Sequence, residues 1–119
     1  MSHENLKQRT KQFALDVIKF VESLPPNRTC NILGGQLLRA GTSVGANYRA
    51  ACRAKSTADF ISKMGTVEEE ADESGYWAEL LVDAGKAKLA DAVVLIKEAD
   101  ELTAIPVASI STARKSGGR

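Results

Sequence analysis

Polar side chains of the types that bind ligands or carry out acid–base chemistry recur at helical spacing in the middle of the chain. Projected at about 100° per residue, they form two stripes, each beside an apolar stripe that would face a helical core. Paired carboxylates could serve as general acids or bases, and an exposed tryptophan could stack on a nucleic-acid base. The residues of these stripes are Arg39, Ser43, Asn47, Lys63, Glu70, Glu73 and Trp77.

The rest of the sequence lacks the other groups that catalysis requires. The single histidine is His3, and neither a nucleophile–base pair nor a glycine-rich phosphate loop is present. Cys30 and Cys52 match no zinc spacing, and we expect reduced thiols, with a disulfide as the alternative. We therefore expect no enzymatic activity, no cofactor and no metal. The polar stripes are interpreted as a salt-bridge network between helices or subunits, with contact to a ligand or nucleic acid as the alternative.

Apolar residues recur at three- and four-residue steps through four segments, which is typical of amphipathic helices. Pro25 ends the first segment, Ser56 caps the third, and Gly85 follows the end of the third. The basic, glycine-containing tail over 113–119 is predicted to be disordered. The helices are predicted over about 4–24, 28–54, 57–84 and 89–112.

Short connections between four helices predict one all-α domain over 1–119, an antiparallel up-down-up-down four-helix bundle. In the second helix, Gly34, Gly35, Gly41 and Gly45 each cost about 1 kcal/mol relative to alanine, which indicates close approach of another backbone. A break at Gly34–Gly35 is the alternative. In the fourth helix the residues predicted to face the core are Leu89, Val93, Ile96, Thr103, Val107 and Ile110, with Leu95, Ala99 and Leu102 beside them.

The second and third helices each carry a second stripe outside the predicted core. A monomeric bundle buries one face of each helix, so these second faces lack a partner within the chain. The simplest partner is another copy of the same chain. We therefore expect a homo-oligomer with the second and third helices at its interface.

Charge is segregated along the chain although the net charge is only +1. Residues 1–55 carry nine basic and three acidic side chains, whereas residues 56–83 carry eight acids and one lysine. This pattern suits oppositely charged helices lying side by side, and the alternative is a nucleic-acid surface. That surface would consist of Lys7, Lys11, Arg49, Arg53 and Lys55.

No stretch approaches the roughly 20 apolar residues of a membrane span. The N-terminal residues are polar and lack the apolar core of a signal peptide. We therefore expect no membrane association and a cytoplasmic location.

The densest pattern in the chain lies over 38–81. It consists of LRAGTSVGANYR at 38–49, AKS at 54–56, DF at 59–60, Lys63, EADE at 70–73, YW at 76–77 and ELL at 79–81. This combination resembles the bacterial four helix bundle protein family, whose founding members are encoded by intervening sequences within large-subunit rRNA genes and which is catalogued as a ribosomal protein family. The sequence departs from the family pattern at Ala50, where an acid is common, and at Gly75, where a large apolar residue is usual.

The resemblance implies an antiparallel bundle that assembles as a ring-shaped homopentamer, without an established enzymatic activity, cofactor or ligand, and with RNA as the partner inferred from gene location. A related branch comprises accessory proteins of retroelement reverse transcriptases, which bind nucleic acid and are strongly basic. With a pI of about 7.8, this chain is not strongly basic. A non-enzymatic pentameric bundle is therefore the expectation, and a retroelement accessory protein is the alternative.

Overall fold

The computed structural model describes residues 3–117, and helices account for most of them. The helices are α1 (His3–Glu22), α2 (Arg28–Cys52), α3 (Thr57–Asp83) and α4 (Leu89–Gly117). Each helix packs against its neighbour in sequence, and α1 also meets α4, although this pair makes the fewest contacts. The result is an elongated antiparallel bundle of about 52 × 22 × 20 Å, which confirms the predicted four-helix fold.

Local hydrogen bonds explain where α2 and α3 begin and end. The side chain of Asn27 accepts a hydrogen bond from the backbone N–H of Cys30 (2.9 Å), which caps α2. Ser56 Oγ accepts from the N–H of Asp59 (3.0 Å), so the predicted cap of α3 is confirmed. Gly85 follows α3 with a φ of 74°, and the N–H of Lys86 reaches back to a carbonyl of the last turn.

The core lies along the inner faces of α1, α2 and α3, where apolar residues recur at three- and four-residue steps. Phe13 and Val17 of α1 are almost completely buried, as are Leu37 and Val44 of α2. In α3 the buried apolar residues are Met64, Val67, Ala71, Ala78 and Leu81. Tyr48 is also buried, and its pKa is raised mainly by burial and then by a hydrogen bond with the Cys52 side chain.

The inward face of α4 differs from the prediction. Leu89 and Val107, both expected in the core, have exposed fractions of 58% and 49%. Apolar residues surround much of α4, so periodicity does not define one direction, and small alanines can face α3 at close range. The buried residues of α4 are Ala92, Leu95, Ala99, Leu102 and Pro106.

The predicted disordered tail is also wrong for residues 113–117, because α4 continues to Gly117. Arg114 and Lys115 lie in its last turn, where positive charge interacts favourably with the helix dipole. Gly117 lies against the first turn of α3, since a Cβ added to it would be 2.6 Å from Thr57 Cγ2. Gly118 and Arg119, the rest of the predicted tail, lie outside the described residues.

Three of the α2 glycines make room for α1 of the same chain. A Cβ on Gly41 would lie 2.7 Å from Val17 Cγ2, and one on Gly45 would lie 3.1 Å from Thr10 Oγ1. Gly34 similarly faces the side chains of Val21 in α1 and of Leu24 just after α1. Gly35 has open space around it, and the helix is continuous through it, so the alternative of a break at Gly34–Gly35 is not observed.

Candidate functional site

An ion-pair network joins α2 to α3 at the predicted polar stripes. Arg39 Nη1 donates to Glu70 Oε2 (3.1 Å), and Arg39 Nη2 pairs with Glu73 Oε1. Trp77 Nε1 donates to the same Glu73 oxygen (3.0 Å). Arg39 Nε also reaches Gln36 Oε1 (3.2 Å), so one guanidinium contacts three side chains. Four of the seven predicted residues therefore form one cluster, which we call the Arg39 cluster: Arg39, Glu70, Glu73 and Trp77.

This cluster lies at the surface of the chain rather than in its core. The Arg39 side chain is 49% exposed, that of Glu73 is 34% exposed, and that of Glu70 is 14% exposed. Both carboxylates are occupied by the guanidinium, and one also accepts from an indole. The cluster therefore connects one position of α2 to two positions of α3 at the surface of the bundle.

The other three predicted residues bond within their own helices. Ser43 Oγ donates to the carbonyl of Arg39 (2.7 Å), and Asn47 Nδ2 donates to the carbonyl of Ser43 (2.8 Å). Lys63 pairs with Asp59, four residues earlier, and not with Glu70. The Lys63 ammonium, followed by the backbone N–H of Lys55, holds the pKa of Asp59 below its ordinary value.

A second ion-pair cluster, which sequence reasoning missed, connects α1 to α4. Arg9 Nε donates to Glu98 Oε2 (2.7 Å), and Arg9 Nη2 lies 2.6 Å from carboxylate oxygens of both Glu98 and Glu101. Hydrogen bonding to Glu98 raises the pKa of Arg9 further. The i,i+3 spacing of the two glutamates was a usable signal, but nothing in the sequence pairs them with a residue near the opposite terminus.

Three of the five residues predicted to contact nucleic acid line one groove between α1 and α2. Lys11 and Arg49 are exposed there, and Lys7 lies 4.0 Å from Glu4 at one end. Arg53 is the C-cap residue of α2 and Lys55 follows it, so both lie beyond the groove. We call this feature the basic groove, and its residues used below are Lys7, Lys11, Leu15, Thr42, Gly45, Ala46 and Arg49.

The outer side of α3 carries the opposite charge. Five residues at three- and four-residue steps are all exposed, and the middle one is aromatic. Tyr76 is 55% exposed, with its ring edge-on to Trp77 at a centroid distance of 5.0 Å. Part of this surface lines a hollow shared with Lys97 and Asp100 of α4. We call it the acidic stripe: Glu69, Asp72, Tyr76, Glu79 and Asp83.

The thiols and carboxylates show no arrangement for metal chemistry within residues 3–117. Cys30 and Cys52 are both free thiols, as expected. In this part of the chain, no group of three or more His, Cys, Asp or Glu side chains is placed to hold a metal ion. None of the four helices, as described, is both long and apolar enough to cross a bilayer.

Comparison with known proteins assigns this architecture to a family. A family model described as 23S rRNA-intervening sequence protein matches residues 3–108. A crystal structure of a protein of unknown function from the S23 ribosomal protein family of Bacteroides thetaiotaomicron is similar, with 30% identity and a TM-score of 0.85. The similarity covers 93% of this chain and 99% of that one. No protein with a curated functional description gives a significant match. The resemblance seen in the sequence is thus confirmed, and the chain belongs to the 23S rRNA-intervening sequence protein family.

Proposed function

We propose that this protein is a non-enzymatic, cytoplasmic assembly module whose bundles associate into a homo-oligomeric ring. The subunit number of five follows the family resemblance described above. The observation that carries the proposal is the exposure of large apolar side chains on the outer faces of α2 and α3. Ile32 is 54% exposed, Leu38 is 36% exposed and Tyr76 is 55% exposed. Burying such side chains against another copy is favourable by about 25 cal/mol per Å² of apolar surface.

The Arg39 cluster supports this role because it holds α2 and α3 in one fixed relative position. A surface built from two helices is complementary to a partner only if their register is constant. Participation of Arg39, Ser43, Asn47, Lys63, Glu70, Glu73 or Trp77 in the contact between copies is part of the proposal. Arg39 is exposed enough to contact a neighbour while keeping its own carboxylate partners.

Light scattering coupled to gel filtration tests the assembly. The proposal predicts a molar mass several times that of the 12.7 kDa chain at micromolar concentration, with five copies as the expected number. A monomer under these conditions would refute the proposal. A stable oligomer of another size would support the proposed assembly but contradict the expected number of five subunits.

Nucleic-acid binding, as in an accessory protein of a retroelement reverse transcriptase, is the second candidate. The observation that favours it is the convergence of Lys7, Lys11 and Arg49 on one groove. Repetition of the groove around an oligomer would add weak phosphate contacts together. The name of the family also links its members to intervening sequences of 23S rRNA.

A gel-shift titration with RNA at low salt tests this candidate. Binding should strengthen as salt falls, because phosphate contacts release counterions. Replacing Lys11 and Arg49 by alanine should weaken it, whereas the matched pair Lys86→Ala and Lys88→Ala, in the connection before α4, should not. Absence of any shift at about 50 mM salt would exclude the candidate.

A further inference from the structure

We infer that the basic groove of one copy binds the acidic stripe of the next copy, so that subunits associate head to tail. The inference rests on the proposed homo-oligomer and names the two surfaces that meet in it. It identifies the occupant of the groove as a helix of the same protein rather than a nucleic acid.

The two surfaces carry complementary charge. The groove carries Lys7, Lys11 and Arg49 with only Glu4 opposing them. Within residues 3–117, none of the four acids of the acidic stripe takes part in an ion pair. A nucleic acid would neutralise the groove but would be repelled by the stripe. A second copy neutralises both surfaces, which favours it as the occupant.

The shapes of the two surfaces also match. Small residues form part of the groove, namely Thr42, Gly45 and Ala46, and Leu15 lies 49% exposed at its side. The acidic stripe is one side of a continuous helix with a single aromatic residue, Tyr76, in the middle. It extends about 21 Å, and the α1 side of the groove from Glu4 to Leu15 extends about 17 Å at the rise of an α-helix. Such dimensions suit binding of a helix in a groove.

The positions of the two surfaces determine the symmetry. The groove lies between α1 and α2, whereas the stripe borders α4 on the other side of the bundle. The helices contact each other only in the cyclic order α1, α2, α3, α4, so these two sides are opposite. A two-fold dimer would need both surfaces on one side to pair them simultaneously. For every copy to use both surfaces, head-to-tail contacts therefore require more than two subunits, and they close into a ring when the rotation between neighbours permits.

Charge reversal in the full-length protein tests the contact. One variant combines Lys11→Glu with Arg49→Glu, a second combines Asp72→Lys with Glu79→Lys, and a third carries all four changes. All four positions are exposed, so circular dichroism should report intact helices. We expect each pair to raise the concentration for half-assembly at least tenfold, and the fourfold variant to return it to within about threefold of the parent.

The control pair is Lys19→Glu with Lys88→Glu, which makes the same net charge change as the groove pair but lies outside both surfaces. The control pair should assemble like the parent. A tenfold rise in its half-assembly concentration would show that net charge causes the effect, and would overturn the inference. Failure of the folded fourfold variant to reassemble would overturn it too. The parent protein alone gives an independent test, because its half-assembly concentration should rise with salt concentration. A half-assembly concentration that does not change with salt would contradict the contact.

The remaining outcomes separate this inference from the proposed function. An oligomeric parent whose mass is unchanged by either pair of reversals overturns the inference and leaves the assembly module standing. The same holds if the groove pair abolishes RNA binding without changing the mass, or if the parent is a two-subunit oligomer. A monomeric parent refutes both.

Discussion

Two glycines of α2 differ in what surrounds them. A Cβ on Gly41 would meet the buried, β-branched side chain of Val17 at 2.7 Å, whereas nothing lies within 4 Å of a Cβ on Gly35. Gly41→Ala should therefore destabilise the protein by about 1–3 kcal/mol through overpacking. Gly35→Ala should stabilise it by about 0.5–1 kcal/mol through helix propensity. Urea unfolding of the two variants measures both changes in unfolding free energy. Changes of the same sign in the two variants would contradict the prediction.

Arg39 is the residue on which the α2–α3 cluster depends. Arg39→Ala leaves Glu70 and Glu73, both partly buried, without their cation, so we expect a loss of about 1 kcal/mol in unfolding free energy and weaker assembly. Thermal melting and light scattering measure the two effects. Arg28→Ala is the control, since Arg28 is exposed at the N-terminus of α2, where positive charge is not favoured. If Arg39→Ala keeps the full oligomeric mass and an unchanged melting temperature, the cluster contributes neither to stability nor to assembly.

At the residue scale, the sequence predicted which side of a helix a polar group occupies better than it predicted its partner. The polar stripes were interpreted as a salt-bridge network, and Arg39 does pair with Glu70 and Glu73 across the adjacent, antiparallel α2 and α3. Lys63 bonds Asp59 instead, because a partner one turn away on the same helix is always in reach. The bond from Arg9 to Glu98 depends on how closely α1 and α4 approach, and helical periodicity does not define that distance.

At the scale of single elements, the start of α3 should show a specific pH dependence. Asp59 accepts hydrogen bonds from the Lys63 side chain and the Lys55 N–H, which keep its pKa below the ordinary value of 3.8. Because the folded state lowers this pKa, the contribution of Asp59 to stability is present above about pH 4 and is lost as pH falls through the folded value.

Melting temperatures of the parent and Asp59→Asn between about pH 7 and pH 2.5 test this sign. The difference between the two proteins should be constant near neutrality and shrink at the acid end. Glu68→Gln removes one negative charge from the same helix without removing an ion pair and lies outside the acidic stripe, so it serves as the matched control. A difference that stays constant over the whole range would contradict the assignment.

The existence and order of all four helices followed from periodicity, and their ends differ from the prediction mainly in α4. The inward face of α1, α2 and α3 was predictable because each has one dominant apolar stripe. In α4 the buried set centres on Ala92 and Ala99, whose small size gives a weak hydrophobic signal, while Leu89 and Val107 point away from the core. Packing against α3 selects the small residues because they allow the two helices to approach closely.

At the scale of the whole molecule, assembly and folding should be linked. If copies bind through surfaces that form only in the folded chain, the oligomer is stabilised by mass action. The melting temperature should therefore rise as protein concentration increases from about 1 to 100 μM. Differential scanning calorimetry measures this shift directly. The variant with Lys11→Glu and Arg49→Glu should lose most of the shift, and a melting temperature independent of concentration in the parent would contradict assembly.

The unequal packing of the four helices has a consequence for the speed of folding. Most contacts join helices that are consecutive in the chain, and the first and last helices make the fewest contacts with each other. Contacting residues are therefore mostly close in sequence, and few long loops must close during folding. This places the bundle among the fast-folding topologies of low contact order. During synthesis α1 and α2 can pair as a hairpin before α4 is made. The Arg9 bonds to Glu98 and Glu101 can form only after the carboxyl-terminal helix has been made.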